Sequence, residues 1–188
     1  MIVIPNESLK PSLKFYKRKT NSPLGAMNAF TQWKHDIIDQ ILANDVICKL
    51  LKYPTEDALR RESLTEDEKF NMVDSQIYGY RFVPEVIEEK RSYISLGLGG
   101  FAPQESFRQF SNRFAMGVVY FYILVDVDIM KTDDGYRQDL LLAALNQTFQ
   151  GTSFMGIGEL KLFMMDELWQ QDNKFGGYQL GFEVVDFR

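Results

Sequence analysis

The sequence predicts an α+β fold in which helices cover one face of an antiparallel sheet of about four strands. Two kinds of apolar spacing lead to this class. Early apolar residues recur every three or four positions, as on one side of a helix, and later segments alternate apolar and polar residues, as in half-buried strands. The predicted order is helix, strand, strand, helix, strand, strand, after an extended N-terminal arm.

Length and composition are typical of one globular domain. The chain has 188 residues, of which 45% are hydrophobic and 25% charged. Its longest apolar run, residues 116–125, has about ten residues, whereas a membrane-spanning helix needs roughly 20. We therefore expect no membrane contact. A net charge of −5 disfavours a dedicated duplex-DNA binder. Cys48 is the only cysteine, and the N-terminal charges follow the apolar residues, so we expect a reducing cytoplasm rather than secretion.

The N-terminal arm, residues 1–25, is predicted to be extended because it carries three prolines and few periodic apolar positions. The rest, residues 26–188, is predicted to form a single α+β domain, with residues 56–92 as a variable insertion or loop region. The acids of residues 56–74 either attract the basic arm of the same or a neighbouring copy, or are simply solvated. The candidate inter-subunit residues of the arm are Lys10, Lys14, Lys17, Arg18 and Lys19.

Helical signals follow the arm. Asn44 and Asp45 are placed to end the first helix and to cap a second helix over residues 46–51. Thr65 and Glu68 have the spacing of a capping box, which predicts a short helix over residues 65–73. The first helix is predicted from an apolar stripe of Phe30, Trp33, Ile37, Ile38, Ile41 and Leu42.

Two strands are predicted in the middle of the chain. The first begins at Tyr93, alternates apolar residues with serine and glycine, and ends at Gly99 and Gly100. The second, residues 115–129, is rich in β-branched and aromatic residues, which favours a central position. The loop between them, residues 101–112, contains three phenylalanines that either anchor a partner or form a satellite core: Phe101, Phe107 and Phe110.

The last third of the chain repeats both patterns. Residues 132–135 are predicted to form a turn with an acidic helix cap, and the helix that follows is predicted to stop at Gly151. Residues 158–165 and 178–187 are predicted strands joined by a turn-rich, hairpin-type connection. The stripe of this second helix consists of Leu140, Leu141, Ala144, Leu145 and Thr148.

Catalytic and ligand-binding motifs are weak. His35 is the only histidine, and with Asp39 one helical turn later it supplies two ligands, too few for a metal site. The glycine pairs lack the spacing of nucleotide-binding loops, so no cofactor is expected. We therefore expect a protein without catalytic activity.

One enzymatic alternative remains. Asp126 and Asp128, two apart on a predicted strand, share a face, and Glu159 and Lys161 follow on a later strand. An acid followed by Glu-x-Lys resembles metal-dependent nucleases of the PD-(D/E)xK type. The helix between the two strands counts against that resemblance, because the family pattern runs one strand directly into the other.

Four segments of the chain together resemble the tail-terminator, or tail-completion, proteins of long-tailed bacteriophages. These are the strand around residues 118–128, the helix opened by residues 134–137, the "GIGELKLF" strand and the closing "FGGYQLGFEVVDF" strand. The helical stretch "DIIDQILANDVICKLLKY" is similar to the opening helix of head-to-tail joining proteins in phages. The resemblance covers roughly residues 27–188.

The resemblance implies a virion protein at the neck, assembled in the host cytoplasm as a homo-oligomer, usually a hexameric ring. Such a ring caps the tail tube, binds the tube protein and a neck, connector or stopper protein, and lets DNA pass through its channel without sequence-specific binding. A head-completion or stopper protein is the alternative within this class. Acids suit a channel wall because a basic wall would retain the duplex, and the candidates are Asp126, Asp128, Asp133 and Asp134.

Overall fold

The computed structural model describes residues 30–82, 90–103, 114–153, 158–170 and 174–187, with the backbone alone for residues 101–103, 114–116, 170 and 185–187. The helices are α1 (Phe30–Ala43), α2 (Asp45–Lys52), α3 (Glu66–Phe70) and α4 (Arg137–Phe149). The strands are β1 (Ile77–Tyr78), β2 (Ser92–Pro103), β3 (Phe114–Asp126), β4 (Lys131–Thr132), β5 (Gly135–Tyr136), β6 (Leu160–Gln170) and β7 (Phe175–Phe187). Short 3-10 turns occupy Ala58–Arg60 and Val127–Ile129.

The α+β class is confirmed, with five strands in the main sheet instead of about four. The strands lie in the order β1-β2-β3-β7-β6. The four long strands pair with one another in antiparallel fashion, as predicted. The additional strand is β1, whose Ile77 pairs with Ile94 of β2 in parallel. Strands β4 and β5 form a separate small hairpin.

The core lies between one face of the sheet and the helices α1, α2 and α4. Helix α1 buries its predicted stripe, with Trp33, Ile37, Ile38 and Ile41 inside and Phe30 and Leu42 at the margin. The sheet contributes alternate residues of its long strands, which is the expected period of a sheet with one face on the core. These are Ile94, Leu96, Val119, Phe121, Ile123, Val125, Leu160, Leu180, Phe182 and Val184.

Helix α2 is capped at both ends by polar groups. Asn44, predicted as its cap, accepts hydrogen bonds from the amides of Val46 and Ile47. At the other end the last carbonyls of a helix lack partners within the helix. The Leu51 carbonyl accepts from the buried amide of Gln76, and the Leu50 carbonyl accepts from Arg137 at 2.7 Å.

Arg137 is the largest fully buried side chain of the described residues. Its guanidinium donates to the carbonyl of Leu50 and, at 2.8 Å each, to the carbonyls of Tyr53, Thr55 and Ile129. Burial lowers the pKa of Arg137 to about 10, so the group stays cationic at neutral pH. A cation at the C-terminal end of α2 is also favoured by the helix dipole. Arg137 therefore ties the start of α4 to the end of α2 and to the turn after β3.

Residues 56–92, predicted as a variable insertion or loop region, contribute to the core in their described part. Thr65 and Glu68 form the predicted capping box, but α3 ends at Phe70, three residues earlier than expected. The Met72 carbonyl then accepts from three following amides, which turns the chain into β1. The buried residues of the segment are Ala58, Leu64, Met72, Ile77 and Tyr78.

Three element boundaries differ from the prediction. β2 continues past Gly99 and Gly100 to Pro103, because Gly99 still pairs with Val118 and, after a bulge, pairing with β3 resumes at Ala102. β3 ends at Asp126 instead of residue 129, since the Asp126 carboxylate accepts the Asp128 amide at 2.8 Å and turns the chain. Helix α4 begins after Tyr136 without a side-chain cap, so the predicted acidic cap was wrong.

A second apolar cluster lies on the sheet face opposite the helices. Tyr78, Tyr93, Leu124 and Phe175 are buried there, and the ring of Phe82 stacks on Tyr78 with centroids 3.8 Å apart. Residues 78–82 thus cover one end of the outer face. The predicted final hairpin is present as β6 and β7, and both strands are longer than expected.

Candidate assembly surface

The candidate site is the edge of the sheet that is formed by β6. This strand has 11 residues and pairs on one side with β7. Within the described parts of the chain, no strand pairs with its other side. The first part of that side is satisfied locally by the turn after α4. The Leu160 amide donates to Thr152, the Leu160 carbonyl accepts from Gly151, and the Leu162 amide donates to the side chain of Gln150 at 2.8 Å.

The second part of the edge has no such partner among the described residues. Leu160 and Leu162 direct their backbone groups away from β7, and their partners on β7 are Val184 and Phe182. The ladder between β7 and β3 has no irregularity, so every second residue of β7 from 184 back to 176 is oriented alike. In that series, residues 180, 178 and 176 of β7 lie opposite Met165, Glu167 and Trp169 of β6. The amide and carbonyl groups of these three residues therefore line the edge without a partner among the described residues.

Large apolar side chains surround this open backbone. Their exposed fractions are 36% for Leu162, 53% for Phe163, 50% for Met165 and 56% for Trp169. Edge strands are usually protected by charge, proline or a covering segment, because an apolar edge is a template for pairing with another chain. This edge carries charges, but it also shows half of the exposed large apolar residues in the described structure.

Two of these aromatic rings also have a structural role. A bulge between Leu162 and Met164 sets Phe163 over Gly181 of β7, and Trp169 lies over Gly176. An aromatic ring over a strand glycine shields the neighbouring backbone, which is a sufficient reason for an aromatic at both positions. Met165 covers no glycine, and half of its surface remains exposed. The apolar character of the edge therefore exceeds what shielding needs.

The charges of the edge are mainly acidic. Asp166 and Glu167 are exposed on the open part, whereas Lys161 at the other end pairs with Glu159 at 3.2 Å. On the face toward α4, Tyr178 lies opposite Glu167 and donates a hydrogen bond to Asp139 at 2.8 Å. That bond to a carboxylate raises the pKa of Tyr178 above its ordinary value. The open half of the edge thus combines apolar side chains with uncompensated negative charge among the described residues.

The four predicted channel acids lie together at one end of the domain, in the turn after β3 and in the β4–β5 hairpin. Asp126 is buried and caps the turn, so it does not share an exposed strand face with Asp128 as predicted. Asp128 pairs with Lys90 at 3.2 Å, and Asp133 pairs with Arg60 at 3.1 Å. Asp134 is exposed at the hairpin tip. Local cations thus compensate Asp128 and Asp133.

The residues of the nuclease alternative are not brought together. Lys161 lies at the level of Glu183 on β7 and of Val118 on β3. Asp126 is eight residues further along β3, about 26 Å at the usual rise of a strand. One copy of the chain therefore does not assemble Asp126, Glu159 and Lys161 into one site.

No built ligand site stands out in the described residues. His35 and Asp39 are exposed on α1, and the described part of the chain contains no group of three or more acids, cysteines or histidines that could hold a metal ion. A cavity of about 850 Å³ beside α2 and α3 is lined by charges of both signs, including Lys52, Glu68 and Asp128. Such mixed lining favours no particular ligand charge.

Several predicted residues fall outside the described residues. These are the whole basic arm, with Lys10, Lys14, Lys17, Arg18 and Lys19, and two of the loop anchors, Phe107 and Phe110. Phe101 lies in β2, where only the backbone is described.

The edge residues were missed by sequence reasoning because the predicted strand stopped at residue 165. A signal was present: residues 160–169 include seven apolar residues and do not alternate cleanly. A strand of that composition is expected to be covered on both faces, whereas the predicted fold has helices on one face of the sheet only.

Comparison with known protein families identifies the group to which this chain is related. The profile of the family described as YomW matches residues 44–184, which includes the helical layer from α2 onward and nearly all of the sheet. The chain belongs to the YomW family. This is a phage family, and the protein is accordingly phage-related. A search of curated proteins finds no match. Within the described residues of this YomW-family protein, no helix has the length and apolar character required to traverse a bilayer.

Proposed function

We propose that this YomW-family protein is a structural virion protein that forms a hexameric ring at the end of the phage tail tube and joins the tube to the neck or connector. Its partners in this proposal are further copies of itself, the tube protein and a connector or stopper protein. The ring assembles in the host cytoplasm and is carried in the neck of the virion, where DNA passes through it without sequence-specific contacts.

The observation that carries the proposal is the open edge of β6. Shielding of Gly181 and Gly176 accounts for Phe163 and Trp169, but it does not account for the half-exposed Met165 beside them. An 11-residue edge strand with this much exposed apolar surface promotes pairing with other chains. A ring-forming subunit needs such a surface on one side and a different one on the other, since heterologous contacts close into rings. The phage affiliation and the resemblance to tail terminators support placing that ring on a tail.

The test uses full-length protein mixed with purified tail tubes of the same phage and imaged by negative stain. We expect wild-type protein to cap one end of the tubes with rings, and the double variant Met165→Lys with Trp169→Lys to leave the ends bare. Lysine at an exposed edge position opposes strand pairing without removing a buried side chain. The matched control is Phe70→Lys, which changes the most exposed large apolar residue on α3, away from this edge.

Capping by the control but not by the edge variant is the result that supports the proposal. Rings that form equally well with both lysines in place would show that β6 has no part in assembly. Tubes that no version of the protein caps would refute the tail-terminator role itself.

A further inference from the structure

The open half of β6 has a complementary segment in the same sequence. We propose that residues 15–18 of the N-terminal arm of one copy add an antiparallel strand to residues 166–169 of β6 in the neighbouring copy. This inference rests on the proposed ring and names the contact that holds it together. It assigns a pairing partner to the basic arm and an occupant to the free edge.

Charge complementarity sets the register. When Lys17 is placed opposite Glu167 in an antiparallel pair, Arg18 falls opposite Asp166. Both acids are exposed on β6. Opposite charges directly across from each other stabilise a pair of strands. The two consecutive acids thus meet two consecutive cations.

Apolar complementarity follows from the same register without further adjustment. Phe15 falls opposite Trp169, and Tyr16 falls opposite Leu168. Trp169 is more than half exposed, so a ring laid beside it removes apolar surface from water. Aromatic pairs across strands are among the favourable cross-strand contacts. Four consecutive pairs therefore match in chemistry.

The backbone agrees with this alignment. The β6 residues with free backbone groups are Met165, Glu167 and Trp169, so their partners exchange amide and carbonyl bonds with them. Those partners are Lys19, Lys17 and Phe15, none of which is a proline. The nearest prolines of the arm, at positions 11 and 23, leave residues 12–22 free to donate. The proline-free part of the arm is thus long enough for the open stretch.

The length of the arm permits it to reach another copy. Phe30, where α1 begins, is twelve Cα-to-Cα steps after Arg18. Extended, they span about 40 Å, comparable to the width of a domain of this size. An arm that crosses to the next copy links the subunits head to tail, which is the type of contact that a ring requires.

Two other occupants are less suited to the edge. A second copy of β6 paired symmetrically about Glu167 places the two Glu167 side chains opposite each other, and like charges across strands are destabilising. The edge of β2 beyond Ser95, which is free of β1, consists of residues 96–103 and offers no cation to Asp166 or Glu167. The arm is the segment that supplies both the charge and the aromatic residues.

The test is a disulfide cross-link between two full-length copies of different mass. One copy carries Tyr16→Cys and the other Leu168→Cys. These residues form a non-hydrogen-bonded pair in the proposed register, where the Cα atoms of opposed strands are about 4.5 Å apart and a disulfide fits. The native Cys48 stays in place, because burial raises its thiol pKa to about 11 and keeps it unreactive. A copy with Phe70→Cys replaces the second partner as the control for random collision.

We expect the mixed disulfide to form at least tenfold faster with the β6 cysteine than with the control. Lys17→Glu with Arg18→Glu in the first copy is expected to lower the cross-linked fraction about tenfold, since two cross-strand pairs become repulsive. Asp166→Lys with Glu167→Lys in the second copy then restores it. Because Leu168 is partly buried, Arg18→Cys with the exposed Asp166→Cys serves as a second pair in the same register.

Mixed product at the control rate for both cysteine pairs overturns the proposal. If the disulfide forms only within a single copy that carries both cysteines, and no mixed product appears, the arm pairs with β6 of its own copy and the contact between neighbours is refuted. The measurement needs no tail tubes, so its failure is separable from that of the proposed function. Rings on tubes without the cross-link would refute the arm contact alone, and the cross-link without rings would refute the terminator role alone.

Discussion

Arg137 provides the sharpest test of how the helices are attached to the sheet. Its guanidinium, at the start of α4, donates four hydrogen bonds of 2.7–2.8 Å to backbone carbonyls of two other segments, residues 50–55 and the turn after β3. In Arg137→Met a side chain of similar length keeps the packing and loses every donor. The carbonyls of Tyr53 and Thr55 lie near the surface and regain water, whereas those of Leu50 and Ile129 are buried.

The expected loss follows from the two buried carbonyls. A hydrogen bond to a charged group contributes roughly 1.5–3 kcal/mol, and part of this is offset because the variant no longer buries a cation. We expect Arg137→Met to lower the free energy of unfolding by about 3–4 kcal/mol. In urea, with an m value of about 2 kcal/mol/M, the midpoint falls by about 1.5–2 M. Arg137→Lys is expected to lose about half as much, because one ammonium cannot span four carbonyls.

The matched control is Arg60→Met, which removes an exposed ion pair with Asp133. An exposed pair contributes at most about 1 kcal/mol, so its midpoint is expected to move little. If Arg137→Met costs less than about 1 kcal/mol with an unchanged m value, the buried guanidinium does not hold the three segments together and the reasoning is refuted.

Further predictions concern the sheet, a helix cap and the buried thiol. In Gly177→Ala the new methyl group clashes with the carbonyl of Ile123 on the adjacent strand, so the free energy of unfolding, measured by thermal denaturation, is expected to fall by about 2–3 kcal/mol. Gly79→Ala, whose methyl group makes only ordinary contacts, is expected to change it little, and equal effects of the two variants would contradict the clash. Asn44→Ala is expected to cost about 1–2 kcal/mol in chemical denaturation, because two amides of α2 lose their acceptor, and a neutral result would exclude a role for the cap. Cys48, whose thiol pKa is raised by burial to about 11 from 9.0, is expected to resist iodoacetamide at pH 8 until the protein unfolds. The contribution of the protonated thiol to stability is complete below pH 9 and is lost as the pH rises toward 11. The free energy of unfolding of Cys48→Ala should therefore fall less steeply between pH 9 and 11 than that of the parent protein.

The parts of the fold that follow local rules were predictable. The stripe of α1 depends on the period of a helix, and Asn44 and the pair Thr65 and Glu68 act on amides two or three residues away. The alternation of β7 likewise reflects one strand with one buried face. In each case the partners are close in sequence, so spacing alone carries the information.

The missed features depend on partners distant in sequence. β1 has only two residues, and it forms because Ile77 pairs with Ile94 of β2. The prediction assigned Arg137 no structural role, although its side chain donates hydrogen bonds to residues more than eighty positions away. The end of β3 was placed too late because Asp126 looked like one more alternating residue until its carboxylate was seen to cap a turn.

For the candidate site, the sequence by itself determined the residue types: a basic arm, and an apolar segment followed by two acids, Asp166 and Glu167. The tertiary structure alone decided that, within the described parts of the chain, this strand lies at the edge of the sheet and the backbone groups of Met165, Glu167 and Trp169 are unpaired. The physical reason is that the composition of a strand reflects how apolar its surroundings are. Its place in the sheet depends instead on which other strands the loops and helices of the chain bring next to it.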